Sequence, residues 1–348
     1  MVQATLGAVV RHIHRALHEL ADRAGPNGTA SRQQSWEALA RNLDHHVLRL
    51  RPSADMPAVV NAFARYDDYF GIRRTDTLTA EAFLHQVLLT TALVLSDLPS
   101  CVLDAHEIAM MLRATAAGLS AEWGLSDDHD EPDDHDEHDE VHLPSPGDVA
   151  EAHHGPMAIW RWKVGHHLYC QYATISVHLI DAATAASDPN AKTSYIARLC
   201  DVCRGTTAAM WYAQSSSPQL YNDVIRPSME AASAGGAGFS GTDNLDGRLM
   251  KLRLRAMLAE IEVEVGHPSS WPGPLWQEVW RLYEMQHLDL EHHALIAQKL
   301  VGSAPSLKQV RMAESCGAGL DLRELSAVET LRGMASERAD AKARFLAG

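Results

Sequence analysis

Between Ile159 and Ala186 the chain sets Ile159, Trp162, Leu168, Ile175, Leu179 and Ala182 at helical spacing, over a run too long for a strand. A helix of that length has to bury its apolar face against other long helices, so the segment commits the fold to a bundle. The rest of the chain agrees. Ala and Leu dominate, and alternating β-branched runs are missing. Helices are expected at 3–23, 33–50, 56–70, 80–98, 103–123, 156–186, 191–214, 217–233, 246–265, 273–302 and 321–345. The breakers fall between them: Gly25-Pro26-Asn27-Gly28, Asp188-Pro189-Asn190, Gly235-Gly236-Ala237-Gly238 and Gly266-His267-Pro268. With no internal repeat, the expectation is one all-α domain over residues 1–348.

One segment cannot join the bundle. Ser126 to His142 reads SDDHDEPDDHDEHDEVH and supplies −10 of a formal net charge of −15. It has no apolar surface to bury and is expected to form a solvated, disordered loop, His-rich as well as acidic, over 126–155. His129, His135, His138 and His142 among carboxylates could collect a divalent metal, although a plain charged insertion is the simpler reading.

Charge and composition exclude several classes. With 45 acidic against 30 basic residues and no basic stripe, nucleic acid is not the expected partner. Five cysteines in 348 residues do not make a disulfide scaffold and suit a reducing compartment. Met1 to Leu20 is amphipathic and interrupted by Arg11, His12, His14, Arg15 and His18, unlike a secretory signal. No stretch is apolar enough for a membrane span, so a soluble, cytoplasmic protein is expected, and a homo-oligomer is compatible with it.

The chemistry-bearing residues concentrate late in the chain. Pro274 to Gly302 reads PLWQEVWRLYEMQHLDLEHHALIAQKLVG, with Pro and Gly as helix punctuation. His293 shares a face with Val279, Leu282, Ile296 and Leu300 and so points at the core, while His292, turned by about 100°, falls nearer Lys299. A histidine directed into an apolar wall serves either as a buried neutral imidazole with one hydrogen bond or as an axial ligand to haem iron. Spacing alone leaves both open.

Three segments resemble the tryptophan 2,3-dioxygenase-like haem superfamily. His292-His293-Ala294-Leu295-Ile296-Ala297-Gln298-Lys299-Leu300-Val301-Gly302 is similar to the proximal-histidine helix of the dioxygenases, and its offsets assign the haem iron to His293. Ser217-Pro218-Gln219-Leu220-Tyr221-Asn222-Asp223-Val224-Ile225-Arg226-Pro227, with the Gly235 to Gly241 loop after it, resembles the element that carries an aromatic and the carboxylate-binding arginine. It is closer still to the monodechloroaminopyrrolnitrin synthase branch. The resemblance makes Tyr221 and Arg226 substrate-binding, and a planar guanidinium suits a carboxylate. Ala82-Phe83-Leu84-His85-Gln86-Val87-Leu88-Leu89 is similar to the helix that supplies the distal histidine, which makes His85 the catalytic candidate, with His106, His166, His167 and His178 behind it.

The resemblance covers Ala80–Leu98 and Gly165–Leu325 and departs in one place. The Gly-Thr-Gly-Gly lid of the dioxygenases is replaced by Ser303-Ala304-Pro305 and a later Ser315-Cys316-Gly317-Ala318-Gly319. That shifts the expectation toward the haem-dependent tyrosine hydroxylases. No Cys lies within Ala294–Gly302, so a covalent haem is not expected. The resemblance therefore implies an all-α helical bundle enclosing a haem pocket, tryptophan/indoleamine dioxygenase-like, with a long acidic loop inserted. It implies haem b and an oxygenase of an aromatic amino acid, tyrosine or tryptophan, using dioxygen or peroxide in specialised-metabolite biosynthesis. Two alternatives remain: a non-haem di-iron oxidase built on Glu284 and His287, and a non-enzymatic helical binding protein. Cys200 and Cys203 form a lone CxxC in a helical pattern and read as buried helical cysteines.

Overall fold

The computed structural model describes residues 64–74, 79–98, 101, 103, 105–123, 155–232, 244–265, 271–307, 309 and 326–347. The helices expected at 3–23 and 33–50 lie outside these residues, as does the acidic loop up to residue 154. The described elements are helical and include no strand, so the fold is all-α. In chain order they are α1 (Ala64–Phe70), α2 (Ala80–Asp97), α3 (Ala105–Trp123), α4 (Gly155–Ala185), α5 (Pro189–Ala213), α6 (Pro218–Leu220), α7 (Arg226–Ala232), α8 (Leu245–Val265), α9 (Gly273–Leu300) and α10 (Ala327–Ala347).

Local chemistry starts these helices where the sequence places them. Thr79 accepts a hydrogen bond from the Ala82 amide at 3.2 Å and caps α2. Asp188 accepts from the amides of Asn190 and Ala191, with Pro189 in the first turn of α5. Ser217 does the same for Leu220 at the start of α6.

The long helices α4 and α5 form the central hairpin. α2 and α8 pack on α4, α3 and α9 pack on α5, and α10 covers α9. α4 and α5 approach closely at Gly165, where a Cβ would stand 2.5 Å from the Ala213 Cβ and 2.8 Å from the Ala209 carbonyl oxygen. Further along, the fully buried Tyr172 ring fills the space left by Gly118 on α3 and Gly205 on α5. Each large apolar side chain buried in this way contributes about 1.5–3 kcal/mol. Among the described residues no helix is long and apolar enough to cross a membrane.

The single helix expected over 217–233 is instead α6, a π-helical turn over Tyr221–Ile225, and α7. Pro227 explains the change. It has no N–H for the Asp223 carbonyl, and its ring would clash with that carbonyl in a regular α-helix. The backbone widens by one residue, and the Arg226 N–H donates to the Tyr221 carbonyl instead.

Candidate active site

α9 carries its chemistry on its buried stripe. Leu275, Val279, Leu282 and Leu300 are buried, and Asp289 and His293 fall on the same side by helical spacing. His292 is turned toward α5 and stands edge-on to Trp211, with ring centroids 4.9 Å apart. The His293 ring makes no hydrogen bond among the described residues. Burial lowers its pKa, Asp289 opposes that, and Lys251 on α8 adds to it, so the ring is neutral at pH 7.

His166 on α4 shares this neighbourhood. Its Nδ1 lies 2.6 Å from the Trp162 carbonyl oxygen, which can only accept, so Nδ1 carries the hydrogen and Nε2 the lone pair. The ring stacks on Phe70 at 4.2 Å and lies 4.2 Å from the Trp162 ring. Its pKa is pushed down to about 3, chiefly by burial, with the Trp162 hydrogen bond opposing and the His167 and His293 charges adding to the fall.

An aromatic wall surrounds His166. Tyr66, Tyr69 and Phe70 of α1 pack with Trp162, and Tyr221 meets Trp162 edge-on at 5.9 Å. The Trp162 indole Nε1 is buried without a hydrogen-bond partner. α1 is fixed to α8 through Arg74, whose guanidinium holds Asp67 at 2.7 and 2.9 Å and Asp246 at 2.7 and 2.8 Å. Asn244 then donates to the Tyr66 hydroxyl at 2.9 Å and approaches the Cys170 sulfur at 3.1 Å.

The π turn delivers Tyr221 and Arg226 to the end of α9. Asn222 Nδ2 donates to the Leu300 carbonyl at 2.8 Å. Arg226 donates to the Pro305 carbonyl at 3.1 Å and stands 3.5 Å from Glu230. Burial raises the Tyr221 pKa, and the Arg226 charge opposes it. Tyr221 and Arg226 thus stand together, joined to the His166 neighbourhood through Trp162.

His85 lies on α2, and its side chain is outside the described residues, as is that of His106. α2 meets α4 through Thr90 and Gln171, 2.9 Å apart, and through Phe83 and His178. Those α4 positions lie about 120–140° around the helix from His166. His178 is exposed, and His167 bonds the Phe70 carbonyl.

The other sequence candidates do not assemble into a metal site. His287 pairs with Glu291 at 3.1 Å. Among the described residues no group of three or more His, Cys, Asp or Glu side chains could hold a metal ion, Glu284 and His287 included. Cys200 is buried, and Cys203 is half-buried with its thiol pushed up to about 12 by desolvation, with Asp289 and Asp201 adding. Such thiols are inert at neutral pH.

Fold and site together define an all-α protein in which neutral histidines pack among aromatic rings, with the cation Arg226 nearby. Its sequence matches the family SfmD 3-methyl-L-tyrosine peroxygenase over residues 7–268. That is most of the chain, and the protein belongs to this family of oxidoreductases. The match takes in α1 to α8 and stops short of α9, so His293 lies beyond it. No curated protein and no solved structure matches the chain.

Sequence reasoning ranked His166 only as a fallback and missed Asp289 and the Arg74 clamp. Asp289 was visible as an Asp four residues before His293 on one helix face. Arg74 gave no local signal, because its second partner is far along the chain.

Proposed function

We propose that this chain is a haem-dependent peroxygenase that oxidises the ring of a tyrosine-type amino acid, with peroxide as the oxidant, in specialised metabolism. The family match carries this reading, since the family is named for a peroxygenase of 3-methyl-L-tyrosine. The residues present fit a haem. His293 offers a half-buried, neutral imidazole with no hydrogen bond of its own among the described residues. The aromatic wall suits a flat apolar ring system, and Lys251 is a cation near the same histidine. His293 would hold the haem iron, and the haem would be a non-covalent haem b, since no Cys lies within Ala294–Gly302. When bound, haem supplies the iron centre at which peroxide is activated.

The chain's own residues hold the substrate. Arg226 would take the amino-acid carboxylate through two parallel hydrogen bonds, released from Pro305 and Glu230 to do so. Tyr221 and Trp162 would flank the substrate ring, and their burial excludes water from it. His166, neutral down to low pH with its Nε2 lone pair available, can accept a hydrogen bond from a phenol O–H. The distal proton-handling role of His85 rests on the family resemblance alone, and His166 is the second candidate for it.

The test is an absorption spectrum of the purified protein, before and after added haemin and then with dithionite and carbon monoxide. A Soret band of a histidine-ligated haem is expected, followed by peroxide-dependent consumption of 3-methyl-L-tyrosine or tyrosine. A colourless protein that takes up no haemin would sink the proposal.

A further inference from the structure

Asp289 stands four positions before His293 on one face of α9, the separation at which helix side chains are neighbours. Helical side chains lean toward the N-terminus, so the His293 ring leans over the turn that Asp289 occupies. The Asp289 carboxylate is anchored from across the bundle, because Thr207 Oγ1 of α5 donates to its Oδ1 at 2.9 Å. Its Oδ2 makes no hydrogen bond among the described residues, and neither does either ring nitrogen of His293. An anchored acceptor with a spare oxygen and an imidazole with an unused N–H therefore share one face of α9, close enough for the Asp289 charge to act on the ring though the two are not hydrogen-bonded in the haem-free chain. The groups around them are Tyr169 and Cys203, which the Asp289 charge helps keep protonated, and the cation Lys251.

We infer that Asp289 is a positioning residue for His293: it accepts the Nδ1–H of the imidazole and so directs the Nε2 lone pair to the haem iron. The inference rests on the haem reading of the site. A metal-ligating histidine usually donates its other N–H to such a group, which fixes the tautomer and makes the ligating nitrogen more basic. Thr207 holds the carboxylate on this face of α9. A more basic ligand stabilises ferric over ferrous iron and strengthens the iron–histidine bond.

The haemin-loaded full chain tests this without recourse to turnover. In the wild-type protein, resonance Raman spectra of the ferrous form should place the iron–histidine stretch at the high-frequency, imidazolate-like end of its range. Asp289→Asn should lower that frequency. It should also favour the ferrous form about tenfold or more, a rise of about 59 mV or more in midpoint potential for one electron. Asp289→Glu should keep both values near wild type. Asp201→Asn, which removes a carboxylate bonded to Arg281 at 2.7 Å, should leave both unchanged. If Asp289→Asn loads haemin with an unaltered stretch and potential, the inference is overturned while the haem reading stands. If Asp289→Asn does not fold, a wild-type stretch at the neutral-imidazole end overturns it equally. A wild-type protein that takes up no haemin overturns the haem reading itself, and this inference with it.

Discussion

Tyr221 and Arg226 lie five residues apart and are closed into one turn by the Arg226 N–H donating to the Tyr221 carbonyl. In a regular α-helix residues five apart would point about 140° away from each other. The π turn cancels most of that angle, and the Arg226 charge lies close enough to Tyr221 to oppose the rise that burial gives its pKa. The turn exists because Pro227 withholds an N–H. A backbone irregularity thus aligns the two residues proposed to meet the substrate.

Replacing the proline is therefore a way to move both residues without changing either. Pro227→Ala restores the donor for the Asp223 carbonyl and should let the segment relax to an α-helix. We expect KM for the amino-acid substrate to rise about tenfold, with the haem spectrum unchanged. Arg226→Ala should cost more, about 10–100-fold, because hydrogen bonds to charged groups are worth about 1.5–3 kcal/mol. Steady-state kinetics on the two variants decide the matter, and an unchanged KM in Pro227→Ala would show that the turn does not position Arg226.

His293→Ala should abolish haemin uptake or make it labile while leaving the far-UV circular dichroism intact. Added imidazole should restore part of the Soret band by filling the space vacated by the ring. His292→Ala is the control, since His292 faces Trp211 and not the His166 neighbourhood. Equal haemin affinity in His293→Ala and wild type would remove His293 from the site.

The helices were legible because their signals are local. Apolar residues recur with the helical period in α4 and α9, and Thr79, Asp188 and Ser217 are caps within three residues of the amides they satisfy. The π turn was hidden because an Arg-Pro pair also fits a plain helix end or kink. The clamp of Arg74 on Asp67 and Asp246 was hidden for a different reason: its second bond joins residues 172 positions apart. His166 was present only as one of several histidines. What distinguishes it is the Phe70 ring stacked on it from another helix, and tertiary packing of that kind leaves no mark on helical spacing.

The buried ion pair of Asp97 and Arg161 offers a stability test away from the site. Arg161 and Asp97 are 2% and 6% exposed. Their atoms meet at 2.6 and 3.0 Å, with the Tyr212 hydroxyl also donating to Asp97 at 3.0 Å. Removing one partner leaves an uncompensated buried charge, so Asp97→Ala should lose about 3–5 kcal/mol. Asp97→Leu combined with Arg161→Met should recover much of that loss, because both charges are then gone. Urea unfolding midpoints at constant slope would measure both effects.

His166 gives the haem-free protein a characteristic acid limb. Its pKa is pushed from the ordinary 6.5 down to about 3 in the folded chain. Below pH 6.5 the unfolded chain takes up a proton that the folded chain refuses, so stability falls as pH falls. The loss proceeds at about 1.4 kcal/mol per pH unit for one such group and ends near the folded pKa. Above pH 6.5 neither state binds the proton and the contribution is flat. His167 and His293, both lowered by burial, add to the same limb. His166→Phe keeps an aromatic ring against Phe70 and cannot be protonated. Between pH 5 and 6, where most carboxylates stay ionised, its unfolding free energy should therefore fall less steeply than that of wild type, by close to one proton's share. Urea unfolding of the two proteins at several pH values reads this directly. Parallel curves would mean that His166 is protonated in the folded chain and cannot serve as the neutral acceptor proposed for it.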